Sequence, residues 1–118
     1  MICTISTPKQ SKDPLTGVYY EADPKQAIKQ ADVIYTDTWV SMGANTDESL
    51  VAQLHAYQLN ETLLQAAPKT AIIMHCLPAH RNEEITDAVL TGAQSQVFNQ
   101  AENRYHAQKA LLVYLSEL

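Results

Sequence analysis

Only two cysteines, Cys3 and Cys76, occur in 118 residues. No disulfide framework can brace the chain, and such sparse thiols suit a reducing, cytoplasmic compartment. No apolar run approaches the ~20 residues that a membrane-spanning helix needs, which points away from a membrane role. Basic residues are also few. Eight Lys and Arg stand against thirteen Asp and Glu, a net charge of −5 with no basic block, so nucleic acid would gain little from counterion release. An N-terminal basic flank leading into a long apolar stretch is missing, as are repeats, low-complexity tracts and linkers. What remains is a globular composition, 46% hydrophobic, in a chain long enough to bury about two thirds of its unfolded surface. One domain over residues 1–118 is expected.

Apolar and polar runs alternate in a way that predicts strands and helices in turn. Met1 to Ser6 reads as a short strand, and Gly17 to Tyr20 as another strand or an extended edge. Asp23, Pro24 and Gln26 form a helix start, with the helix running to about Gln30. Strand Asp32 to Thr36 follows, then a loop from Asp37 to Thr46 and a helix capped by Asn45 with Leu50, Val51 and Leu54 inward. Asn60 caps a further short helix with Leu63 and Leu64 buried, Pro68 ends it, and Thr70 to His75 forms the next strand. Glu83 to Leu90 reads as a helix stopped by Gly92, and Ser95 to Phe98 as a final strand. Ala107, Ala110, Leu111, Tyr114, Leu115 and Leu118 recur at helical spacing, which marks an amphipathic terminal helix capped by Asn99 and Glu102. The class is α/β, three-layered, with a largely parallel sheet between flanking helices.

In such sheets ligands gather at the carboxyl ends of the strands. Three exits carry polar residues: Asp37 through Gly43, His75-Cys76-Leu77-Pro78, and Glu102-Asn103-Arg104. Taken alone, Cys76 reads as a buried small hydrophobe, and its strand-exit position adds a nucleophile or proton-acceptor reading. Arg104, His75 or His80 nearby would favour its thiolate. Asp37 can cap a turn or, with Ser41, accept from an ammonium group. Arg104 is either a solvated helix residue or, near a helix start, a partner for an anion or a polarised oxygen. Trp39 and Met42 are packing residues or an apolar wall for a substrate's methylene chain. His55, His75, His80 and His106 lack the paired spacing of structural zinc sites, so no metal is expected.

The ordered motifs Asp37-x-Trp39-x-Ser41-Met42-Gly43, His75-Cys76-Leu77-Pro78 and Glu102-Asn103-Arg104 resemble the C-terminal, ornithine-binding half of the ornithine carbamoyltransferase family. The similarity runs from about Ala31 to Leu115, and aspartate carbamoyltransferases match less well. The resemblance implies a partial domain of the aspartate/ornithine carbamoyltransferase type that transfers a carbamoyl group from carbamoyl phosphate to the δ-amine of L-ornithine. Citrulline and phosphate would be the products, in arginine biosynthesis or ornithine metabolism, with no cofactor. By the same resemblance, Asp37 and Ser41 hold the α-ammonium with the Met42 backbone. Cys76 and the Leu77 carbonyl lie beside the reacting amine, and Arg104 polarises the carbamoyl oxygen. It also implies a cis peptide at Leu77-Pro78.

The departures are equally specific. The chain has no Ser-Thr-Arg-Thr phosphate grip, no downstream His-Pro segment and no paired asparagines for the ornithine carboxylate. Thr7 to Asp23 is short for a strand-helix-strand passage, so one crossover helix is expected to be absent and the start of the sheet rearranged. The carbamoyl-phosphate domain would be missing and the chain inactive alone. A non-enzymatic reading is an amino-acid-binding or assembly module that pairs with a separate carbamoyl-phosphate domain. A third is an unrelated doubly wound domain with a structural Cys76. Apolar surface without a partner would favour self-association.

Overall fold

The computed structural model describes residues 3–8, 17–40 and 48–118. Two short parallel ribbons form its strands. The first pairs β1 (Cys3–Ile5) with β2 (Val18–Tyr20). After α1 (Pro24–Ala27) comes β3 (Val33–Thr36), then α2 (Glu48–Leu54) with a 3-10 turn over His55–Tyr57, and α3 (Glu61–Leu64). β4 (Ile72–His75) lies parallel to β3, and α4 (Asp87–Leu90) and α5 (Val97–Ser116) complete the chain. The α/β class is as expected, and among the described residues β1 and β2 pair only with each other; most of the passage in which a crossover helix is expected to be absent lies outside the described residues.

Local chemistry explains the helix starts. The Asp23 side chain accepts the Lys25 amide at 2.9 Å with Pro24 in the first helical position, and Asn60 accepts the Leu63 amide at 2.8 Å. Both caps satisfy amides that have no partner inside the helix. Asn45, expected to cap α2, lies outside the described residues. Leu50, Val51 and Leu54 are half-buried.

Register decides which strand face is covered. Ile34 pairs with Ile73, and both are buried with Leu63, Val89, Leu90 and Val97 in one apolar core. Tyr35, opposite Met74, points the other way and is 54% exposed, as Val33 is 49% exposed. Parallel strands ordinarily have both faces covered. Among the described residues, helices cover this ribbon on the Ile34 and Ile73 face.

Three boundaries differ from expectation. Ser95 to Phe98 is not a strand. Ile73 exchanges backbone bonds with Gln94 and Gln96, which makes a single bridge at Ser95, and the chain then turns helical at Val97. The wholly buried Val97 side chain sits in the core, so packing overrides strand propensity there. Helix α5 therefore starts earlier than Asn99 and Glu102 imply, with Gln96 at its cap and no side-chain cap bond. The helix expected over Glu83 to Leu90 is reduced to α4. Ile85 is held in bridges to Leu59 and Arg81, Asn82 has φ 68°, and Thr86 caps the helix by accepting the Val89 amide.

The terminal helix is present, but its apolar residues are not confined to the expected stripe, since Leu112 and Val113 lie outside it. Leu111, Leu112, Val113, Tyr114 and Leu115 are consecutive and all exposed; at ~100° per residue they encircle the axis. Every residue from Ala101 to Leu118 is exposed.

Candidate functional site at the carboxyl edge of the β3-β4 ribbon

Thr36 pairs with His75, so the next residue on each strand, Asp37 and Cys76, leaves the sheet beside the other. The Cys76 thiol donates to Asp37 Oδ1 at 2.7 Å. The same oxygen receives the Thr38 amide at 2.7 Å and the Thr38 hydroxyl at 3.3 Å. The Cys76 bond, and after it the Thr38 amide, hold the Asp37 carboxyl below its ordinary range against the opposing effect of burial. Burial, and then the hydrogen bond and negative charge of Asp37, push the Cys76 thiol upward. The sulfur therefore sits here as a neutral donor. The thiolate expected from Arg104, His75 or His80 is not what this arrangement favours, because the group bonded to the sulfur is an anion.

Leu77 completes this cluster. It has φ 55°, a left-handed conformation uncommon outside glycine, and precedes a cis peptide to Pro78. Its side chain packs against the core, and its amide donates to His75 Nδ1 at 2.9 Å. Trp39 is half-buried and meets the His55 ring edge-on at 5.2 Å, which ties the loop after β3 to the 3-10 turn.

Arg104 is not drawn into the pair. Its side chain is exposed and, among the described residues, has no hydrogen bond or ion pair. Its direction is nevertheless set by Gln100, one turn earlier on the same helix face. Gln100 Oε1 accepts the His75 amide at 3.0 Å and its Nε2 donates to the Tyr35 hydroxyl at 3.2 Å. Since Gln96 bonds Ile73 and Gln100 bonds His75, α5 runs alongside β4, and Arg104 stands ~6 Å of helix rise beyond the strand end. Ser41 and Met42 lie outside the described residues.

Two contributors were not found from sequence. Gln100 anchors α5 to both strand ends. Glu84, wholly buried, has Oε1 3.0 Å from His75 Nε2 and accepts the His80 amide at 2.6 Å. Glu84 also belongs to the one group of described side chains that could hold a metal ion. His80 Nδ1 is 3.7 Å from Glu83 Oε2 and 4.0 Å from Glu84 Oε2. Among the described residues no helix is long and apolar enough to cross a membrane.

With this geometry in hand, likeness to known proteins becomes informative. Residues 6–115 match the family model of the aspartate/ornithine carbamoyltransferase Asp/Orn binding domain. The ornithine carbamoyltransferase of Syntrophus aciditrophicus is 52% identical over 105 residues, covering 88% of this chain and 35% of that protein. That of Archaeoglobus fulgidus is 48% identical over 108 residues, covering 91% and 35%. The chain thus spans about a third of the length of these curated relatives. Among solved structures, the anabolic ornithine carbamoyltransferase of Campylobacter jejuni superposes with a TM-score of 0.81 at 31% identity, over 98% of this chain and 43% of that one. The Pyrococcus furiosus ornithine carbamoyltransferase gives 0.74 at 47% identity, over 81% and 31%. Sequence motifs, parallel topology and these likenesses agree: the chain belongs to the aspartate/ornithine carbamoyltransferase family and corresponds to its Asp/Orn binding domain.

Proposed function

We propose that this chain supplies the ornithine side of an ornithine carbamoyltransferase and that a separate carbamoyl-phosphate domain is needed for turnover. The observation that carries the reading is the Cys76 to Asp37 hydrogen bond at the carboxyl edge of β3 and β4. It supports an acceptor for an ammonium group placed next to a thiol. Asp37 would hold the α-ammonium of L-ornithine with Ser41 and the Met42 backbone. Cys76 and the Leu77 carbonyl would border the δ-amine, and Arg104 would polarise the carbamoyl oxygen.

In the reaction the neutral δ-amine attacks the carbonyl carbon of carbamoyl phosphate. A C–N bond forms, the C–O bond to phosphate breaks, and the amine loses one proton to give citrulline and phosphate. Orientation and stabilisation of the developing oxyanion lower the barrier, and Arg104 carries the charge for the second. Ammonium protons are stronger donors to Asp37 than a thiol. Ornithine would therefore displace the Cys76 bond and leave the thiol free to orient the δ-amine, whose proton leaves with the departing phosphate.

The assay is citrulline formation by the purified chain, alone and mixed with a separately produced carbamoyl-phosphate domain. Negligible product alone and product on mixing, lost in Cys76→Ser and Arg104→Ala, is the expected result. Turnover by the chain alone, or its absence with every partner together with no ornithine heat in titration calorimetry, overturns the proposal. The same assay addresses an assembly-module reading, which the uncovered Val33 and Tyr35 face and the bare apolar girdle of α5 favour. That module would bind the partner domain without ornithine. A cytoplasmic place in arginine biosynthesis belongs to the same proposal.

A further inference from the structure

The loop that carries Cys76 and Leu77 is closed by one buried carboxylate oxygen. Glu84 Oε1 lies 3.0 Å from His75 Nε2, at the end of β4, and accepts the His80 amide at 2.6 Å, so it ties both ends of residues 75–80. The His75 ring spans from that oxygen to the loop's middle, where Nδ1 takes the Leu77 amide at 2.9 Å. An amide can only donate. Nδ1 must therefore keep its lone pair, the proton must sit on Nε2, and the ring must be neutral, since an imidazolium would present a second N–H to the Leu77 amide. Both side chains are sealed from solvent, at 1% and 0% exposure. Apolar residues of similar size would fill the same space without a buried charge. They would leave the Leu77 and His80 amides without these acceptors.

We propose that Glu84 and His75 are positioning residues: Glu84 sets the His75 tautomer, and His75 in turn holds Leu77 in its left-handed conformation and the Cys76 thiol against Asp37. The inference rests on the ornithine-side reading only in regarding that loop as catalytic. Glu84 Oε2 has no hydrogen bond among the described residues. Oε1 alone carries the role, which the amide oxygen of glutamine can reproduce.

The test uses the whole chain in a Cys3→Ser background, so that Cys76 is the single thiol, with Glu84→Gln and Glu84→Ala variants. Nitrogen-15 NMR of the parent at neutral pH should show the neutral His75 ring protonated at Nε2 and unprotonated at Nδ1. The pH profile of Cys76 alkylation by iodoacetamide should have its midpoint above the ordinary ~8.5 in the parent and in Glu84→Gln. In Glu84→Ala it should fall toward that value, with several-fold faster modification near neutral pH. A proton on Nδ1, an unchanged profile in folded Glu84→Ala, or an equal shift in Glu84→Gln overturns the inference. Should Glu84→Ala not fold, the parent tautomer and the Glu84→Gln profile decide alone. Neither readout needs ornithine, so failure to bind ornithine would sink the functional reading and leave this one standing.

Discussion

The first turn of α5 and the rest of that helix share one backbone and little else. Val97 is buried in the core and Gln100 bonds both Tyr35 and His75, whereas Ala101 to Leu118 touch solvent at every position. Helix formation is limited by its first turn, and most helical stability in proteins comes from packing. The anchored end thus provides a nucleus, and the remainder depends on propensity and exposed pairs such as Glu102 with His106 at 3.7 Å. A helical stretch apolar all round, as residues 111–115 are, is ordinarily an enclosed one. The contrast separates the part of α5 that the core holds from the part that it leaves uncovered.

Substitutions on the two sides should differ in size. Ile73, 1% exposed in the core with Val97, is the most sensitive: Ile73→Ala should lower unfolding free energy by about 2–5 kcal/mol through lost burial and a cavity, read from urea denaturation. Gly92→Ala comes next. A Cβ there would lie 2.7 Å from the Ala88 carbonyl oxygen, backbone that cannot step aside, so a loss of about 1–3 kcal/mol is expected by the same measurement. Asp37→Asn should cost less stability than either and should also shift chemistry. Removing the carboxylate takes away two of the causes that raise the Cys76 pKa, and iodoacetamide should react at a lower pH than in the parent.

The same pair gives a pH window. Asp37 has a depressed pKa in the fold, so its contribution is present above the unfolded value of ~3.9 and is lost as pH falls through the lower folded value. Cys76 has a raised one, so its contribution is present below the unfolded ~8.5 and is lost as pH climbs through the higher folded value. Melting temperatures of the parent and Asp37→Asn should differ most between those limits and converge outside them. The smallest effect belongs to the bare side. Leu112→Ala, at a site 70% exposed, should change stability by less than about 0.5 kcal/mol. A larger loss would mean that α5 packs on something in solution.

Features legible in the sequence were those written locally. Asp23 before Pro24 and Asn60 before Leu63 announce helix starts because the bonded groups lie within three residues. Strand exits at Asp37 and Cys76 were readable from the apolar runs before them. Long-range partners were not. Glu84 reaches back nine residues to His75, and Gln100 reaches 25; nothing in their own neighbourhoods distinguishes them from surface residues. Val97 and Phe98 have strand composition, yet one core contact at Val97 commits them to a helix. Arg104 stands exposed on α5 beyond the end of β4, with no bond among the described residues to mark a role for it.

The pairing of Thr36 with His75 has a geometric corollary. Side chains on a strand alternate in direction, so sliding β3 along β4 by a single notch would turn Ile34 or Ile73 out to water and carry acid and sulfur out of step together. The oily stitches of the interior therefore serve as the ruler by which the chemistry at the rim is measured.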